Sequence, residues 1–182
     1  MAFLADRRSV RTHEVLLAAF LDLMFERGYE ALSVGDIAAK ANVGRSTFYE
    51  HFKGKADLLK FSLRMPFGVL TDIVGVEHAS ASTLRLLAHF RARRKLGPVL
   101  FSWPVRPLLT RTLTEMLEKR LAAGALGAPL VARRVAALQI AEAQLALVDN
   151  WISGRAACEA AAMAEALHAS TNALVKALHR PA

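Results

Sequence analysis

The sequence predicts an all-α protein, with an N-terminal three-helix domain over residues 1–55 followed by a larger helical domain over residues 56–182. Three observations predict it. Apolar residues recur at spacings of three and four along most of the chain, and no run of alternating β-branched residues competes with them. Gly and Pro break this pattern into pieces of helix length. A content of 54% hydrophobic residues in 182 supports a sizeable core and excludes a disordered tail.

The elements follow in order. From Val10 to Arg27, the residues Leu16, Leu17, Phe20, Leu23 and Met24 form one apolar stripe, and Gly28 supplies a left-handed stop. Ser33 starts a second helix as its N-cap, with Asp36 three residues on at the positive end of the helix dipole. Val34, Ile37, Ala38 and Ala41 make its buried face. Asn42 tolerates positive φ and Gly44 permits a sharp turn, so residues 41–44 read as a turn into a brief helix from about Arg45 to His51. Phe52 is expected to pack back, and Lys53-Gly54-Lys55 opens a further helix carrying Leu58, Leu59, Phe61, Leu63 and Met65. Pro66 is expected to interrupt or kink it. Helices are then expected near 67–76, 82–96, 106–123, 128–154 and 157–179, with Gly97-Pro98 and residues 103–107 as the clearest breaks.

The last two helices are apolar on more than one side. In the first, Val131, Val135, Leu138, Leu145, Val148 and Ile152 make one stripe, and Ala137, Ile140, Leu147 and Trp151 make a second. In the final helix Ala160, Met163, Leu167, Thr171, Leu174 and Leu178 recur at helical spacing. One stripe serves the domain's own core, and a two-fold bundle of these helices from two chains would bury the other. The residues expected at a homodimer seam are Leu138, Leu145, Val148, Ile152, Met163, Leu167, Leu174 and Leu178. Burial inside a larger monomeric core is the alternative.

Composition excludes several classes. The single Cys158 forms no internal disulfide, so nothing calls for an oxidising compartment. Mean hydropathy is +0.28, yet the most apolar stretch, Val15 to Phe25, contains Asp22 and is far shorter than the roughly 20 residues of a membrane span. The start, MAFLADRRSVR, lacks the apolar run of a secretory signal, and a cytoplasmic location without a membrane partner is expected. There is no Gly-x-Ser-x-Gly, no phosphate loop and no zinc motif, so no catalytic residue, metal or cofactor is expected.

The net charge of +8 attracts the chain to phosphate polymers. Its distribution is uneven: residues 1–60 carry nine basic and eight acidic side chains, residues 61–182 fifteen and eight. Composition alone would therefore place DNA binding in the second part.

The order of elements places it in the first. Two short helices joined by a tight turn after a longer helix make a helix-turn-helix, whose second helix enters the major groove. Arg45 can read guanine O6 and N7, and Ser46 and Thr47 can contact bases or phosphates, the Thr methyl packing on a thymine methyl. Tyr49, His51 and Lys55 offer donors to phosphate oxygens, and Lys55 also opens a helix whose N–H groups suit an anion. A helical small-molecule-binding or scaffolding protein, in which this shape is only a packing motif, is the alternative reading.

The run from Leu32 to Leu59, with Thr47, Tyr49, His51, Phe52, Lys55 and Leu58 in order, resembles the DNA-binding domain of TetR-family transcriptional regulators. Ile37, Ala38, Ala41, Val43, Phe48 and Phe52 match that family's packing positions. The resemblance implies a phosphate contact at Ser33, base contacts at Arg45, Ser46 and Thr47, and a backbone clamp of Tyr49, His51 and Lys55. Two residues depart from the pattern. Asn42 replaces the usual Gly, and Gly44, which belongs to the DNA-facing set by its place, replaces a capping Ser at a cost of a few tenths of a kcal/mol.

The resemblance further implies a helical second domain that binds a small-molecule effector. The whole would be a homodimeric, ligand-responsive regulator, a repressor that binds a pseudo-palindromic operator in double-stranded DNA and is released by its effector. Phe90, Phe101, Trp103, Met116 and Trp151 are the candidates to line the pocket, with His78 and His89 as orienting groups. Arg91, Arg93, Arg94 and Lys95 complement the negative end of their helix, or form an anion site.

Overall fold

The structure, a computed structural model, describes residues 2–123 and 129–179. The described residues form helices α1 (Ala2–Arg27), α2 (Val34–Lys40), α3 (Arg45–His51), α4 (Lys55–Asp72), α5 (Ala81–Ala92), α6 (Gly97–Leu100), α7 (Val105–Ala123), α8 (Arg133–Ile152) and α9 (Ala160–Leu178), with a 3-10 turn at Arg94–Leu96. The all-α expectation holds, and no described helix is long and apolar enough to cross a membrane.

Local chemistry sets the first three helices. Gly28 ends α1 with φ 76° and Asn42 turns the chain with φ 54°. In α2 the Ser33 hydroxyl accepts from Asp36 N–H at 3.1 Å, and the Ser33 N–H donates back to the Asp36 carboxylate at 2.9 Å, a complete capping box. Gly44 is extended, at φ −69° and ψ 152°, and offers α3 no side-chain cap. Its backbone therefore does not require glycine. Leu16, Phe20, Met24, Ile37, Phe48, Leu58 and Leu59 are all fully buried and hold α1 to α4 together.

Pro66 does not break the chain into two helices: α4 runs through it. The proline removes one N–H from the ladder, but Leu63, Phe67 and Leu70 on the same buried side anchor both halves, and burial outweighs one lost bond. Gly97-Pro98 likewise opens the one-turn α6 rather than only ending a helix, Pro being well suited to a first turn. The expected start of the eighth helix at residue 128 lies outside the described residues.

Half of the residues expected at a seam between chains are buried within one chain. Leu145, Val148, Met163 and Leu167 are at most 2% exposed within a single chain, as are Ala137 and Ile140. Both stripes of α8 are needed because α8 packs on α7 and α9 while Gln144 reaches α4. Leu138 stays open at 44% exposure, and Ile152, Leu174 and Leu178 are half-buried. The exposed apolar surface of α9 is a row of small residues, Ala162, Ala166, Ala169, Ala173 and Ala177, spaced by three and four.

α4 is tied at its far end. Gln144 donates to Leu70 O at 3.1 Å, Arg120 to Val74 O at 3.0 Å, and Asn172 to Val76 O at 2.7 Å. His168, buried in α9, bridges Val76 O and Thr83 Oγ1 at 3.1 Å each.

Candidate nucleic-acid interface

α3 is held by one fully buried residue and displays Arg45, Ser46, Tyr49 and Glu50. Phe48 is fully buried against Phe52, ring centroids 5.9 Å apart, and Phe52 meets Phe61 at 5.4 Å. With Phe48 inward, helical geometry turns Ser46, Tyr49 and Glu50 to solvent; Arg45, at the helix start, is exposed as well, and Tyr49 is 59% exposed. Thr47 lies at the edge of this face, half-buried. Gly44 is exposed at its entry, and a Cβ there would meet Ser46 Oγ at 3.3 Å.

His51 sits half-buried at the other end, its ring 4.8 Å from His13 in an edge-to-face contact. His13 also touches Phe52 and Phe61, at 5.1 and 4.9 Å. Burial, and then the neighbouring His51, holds the His13 imidazole below its ordinary pKa.

Two residues expected at phosphates have partners within the chain. The Lys55 ammonium donates to the carbonyls of Leu32 at 2.8 Å, Tyr29 at 2.9 Å and Glu30 at 3.2 Å, and lies over the Tyr29 ring at 4.7 Å. An ammonium has three protons, and three carbonyls take them, so Lys55 is a tie between α4 and the loop before α2. The Ser33 hydroxyl donates to Asp36, which leaves it no proton for a phosphate oxygen in this conformation. That hydroxyl, with the Ser33 N–H, holds the Asp36 carboxyl below its usual range.

Beside this face the head is braced by ion pairs, Lys40 with Glu26 at 2.9 Å and Arg27 with Asp36 at 3.9 Å. One neighbour was not legible as functional: Gly35 in α2 lies directly under the Arg45 guanidinium. No sequence motif marks this contact, because it joins two helices across a turn.

Comparison with known proteins agrees with this geometry. Residues 16–60 match the model of the bacterial regulatory proteins of the tetR family. Residues 16–60 are thus similar to the DNA-binding domain of that family. An uncharacterized HTH-type transcriptional regulator, YxbF of Bacillus subtilis (strain 168), is 40% identical over 107 residues, 58% of this chain and 28% of that protein. The HTH-type dhaKLM operon transcriptional activator DhaS of Lactococcus lactis subsp. lactis (strain IL1403) is 33% identical over 89 residues, 47% of this chain and 48% of that one. The chain thus spans between about a quarter and a half of the length of these two curated relatives. Among solved structures, a TetR-family regulator from Streptomyces coelicolor A3 shares the fold at a TM-score of 0.62 and 20% identity, over 91% of this chain and 95% of that one.

The expected pocket residues do not converge on one cavity. Trp103 is 79% exposed. Phe90, Phe101 and Met116 are half-buried against the core, and Phe101 instead lies under Arg106 at 5.9 Å. A groove of about 500 Å³ runs between α7 and α8, lined by Arg106, Pro107, Thr110, Arg134, Leu138 and their neighbours, none of them an expected pocket residue. Its guanidiniums are paired, Arg106 with Glu142 at 2.6 Å and Arg134 with Glu118 at 3.3 Å. Trp151 borders a hollow of about 140 Å³ shared with Arg91, Arg94 and Cys158, where its indole N–H donates to Cys158 O at 2.9 Å. His78 and His89 are exposed, His89 facing Arg93 at 2.8 Å. Leu70 of α4, Leu113 and Leu117 of α7 and Ile140 of α8 are buried in the core instead.

Proposed function

We propose that this chain is a DNA-binding transcriptional regulator that reads a pseudo-palindromic operator as a homodimer, a small molecule shifting it away from DNA. The outward face of α3 carries the reading. Arg45, Ser46 and Tyr49 project together while Phe48 anchors the helix, which matches a recognition helix in the major groove. A head over residues 1–55 would do the reading, and a body over 56–182 the pairing and sensing.

The dimer is supported by the exposed alanine row of α9, a surface that lets helices of a second chain approach closely, and by the exposed Val135 and Leu138 of α8. Coupling is supported by the two tied ends of α4. Lys55 fixes one end to the head, and Gln144, Arg120 and the residues around Asn172 fix the other to the body. A ligand that prefers the body conformation unsuited to DNA would move α4 and with it the spacing of two α3 helices. The relatives include a named activator and a named repressor, so the sign of regulation follows where the operator lies relative to its promoter.

A mobility shift on double-stranded genomic fragments tests the reading. A specific complex whose affinity falls steeply with salt is expected. Absence of any sequence-selective complex at low and moderate salt would refute it.

A further inference from the structure

Arg45 opens α3 and Gly35 stands in the first turn of α2, and the two meet across the turn. A Cβ at Gly35 would overlap Arg45 Nη2 and lie 3.0 Å from both Cζ and Nε. The guanidinium therefore rests on bare backbone, in the place a side chain would take.

Conformation does not explain this glycine. The positive-φ glycines of the described residues are Gly28, Gly75 and Gly154, whereas Gly35 is helical, a state every L residue adopts more readily. Helix propensity disfavours it, so the contact with Arg45 is what distinguishes the position. We infer that Gly35 is a positioning and specificity-determining residue for base reading, seating the Arg45 guanidinium beside α2 in the pose from which it enters the groove.

The physical basis is restraint. An unrestrained arginine loses considerable rotamer freedom when its planar fork docks on a base edge, and a side chain held near its bound pose loses less. A methyl at position 35 fills the seat. The displaced atoms are the far end of a flexible side chain, so the fold yields cheaply and only the approach of Arg45 changes. Gly35→Ala should thus separate the two properties, retaining or raising stability while weakening recognition.

The inference rests on the proposed DNA reading by α3, and the experiment keeps the two apart. Selection of sites from random double-stranded DNA with the full wild-type chain supplies the probe. Affinities for that site and its single-base variants are then measured for wild type, Gly35→Ala, Arg45→Ala and the double variant. Gly35→Ala is expected to bind about twofold to tenfold more weakly, to lose preference at the base pair where Arg45→Ala loses it, and to melt no lower than wild type. In the Arg45→Ala background, Gly35→Ala should have no further effect, since it acts through that side chain. Wild-type affinity and preference in Gly35→Ala, tighter binding, or an equal loss with and without Arg45 would each overturn the seat alone. If the wild-type chain selects no site, the seat and the proposed function fall together.

Discussion

Gln144 on α8 donates to the carbonyl of Leu70 on α4 at 3.1 Å and to Thr171 Oγ1 on α9 at 3.0 Å, so one fully buried amide joins three helices. Leu70 O lies in the last turn of α4, where Val74 N–H bonds instead to Thr71 O, and Gln144 satisfies the acceptor left over. Gln144→Ala leaves that carbonyl unpaired and opens a void, and should cost about 2–4 kcal/mol in urea denaturation. A loss well under 1 kcal/mol would mean that α4 is not held there.

Lys55 provides a second tie whose role separates cleanly from DNA binding. Lys55→Met retains the stem and removes three charge-assisted bonds to carbonyls, and should lower stability by about 1–3 kcal/mol. The slope of affinity against salt should stay at the wild-type value. A shallower slope with unchanged stability would restore the phosphate contact that the sequence suggests.

The pairing surface is distinguished from the core by two arginine substitutions. Ala169→Arg places a guanidinium in the exposed alanine row and should give folded monomers in sedimentation, with helix content intact by circular dichroism. Leu145→Arg inserts the same group into a site 2% exposed and should unfold the chain instead. An Ala169→Arg protein that remains a dimer would exclude α9 as the seam.

The His13 imidazole makes the head sensitive to mild acid. Its pKa is held down by burial and then by His51, so its neutral form is favoured in the folded chain. The unfolded chain then binds more protons as pH drops below about 6.5. This contribution is fully present above that value and is lost as pH falls toward the lowered folded pKa. His13→Phe retains ring packing against Phe52 and Phe61 and should flatten that part of the melting profile between about pH 7.5 and 5. Parallel profiles for the two proteins would show that His13 does not titrate on folding.

Much of the head was legible from residues alone because its determinants are local. Ser33 and Asp36 complete a cap within four residues, Asn42 selects its own φ, and the bounds of α3 follow from the turn before it. Ser46 and Tyr49 follow as outward once Phe48 is assigned inward, whereas the exposure of Arg45, three residues before Phe48, is decided by the surrounding fold.

What sequence left open, or got wrong, depends on neighbours distant along the chain. Periodicity identified apolar stripes on α8 and α9 but not which stripe meets the body, and only packing shows Leu145 and Met163 inside and the alanine row outside. Pro66 obeys a local rule that burial of Leu63 and Phe67 overrides. A lysine at the start of a helix reads as a phosphate contact until the carbonyls of residues 23 to 26 positions earlier close around it. By itself the sequence determined the helical class and the helix-turn-helix that resembles the tetR family, each written in short-range spacing. Tertiary structure decided which polar groups remain free for DNA and which apolar faces remain free for a partner, because availability is what is left after packing and hydrogen bonding have been satisfied.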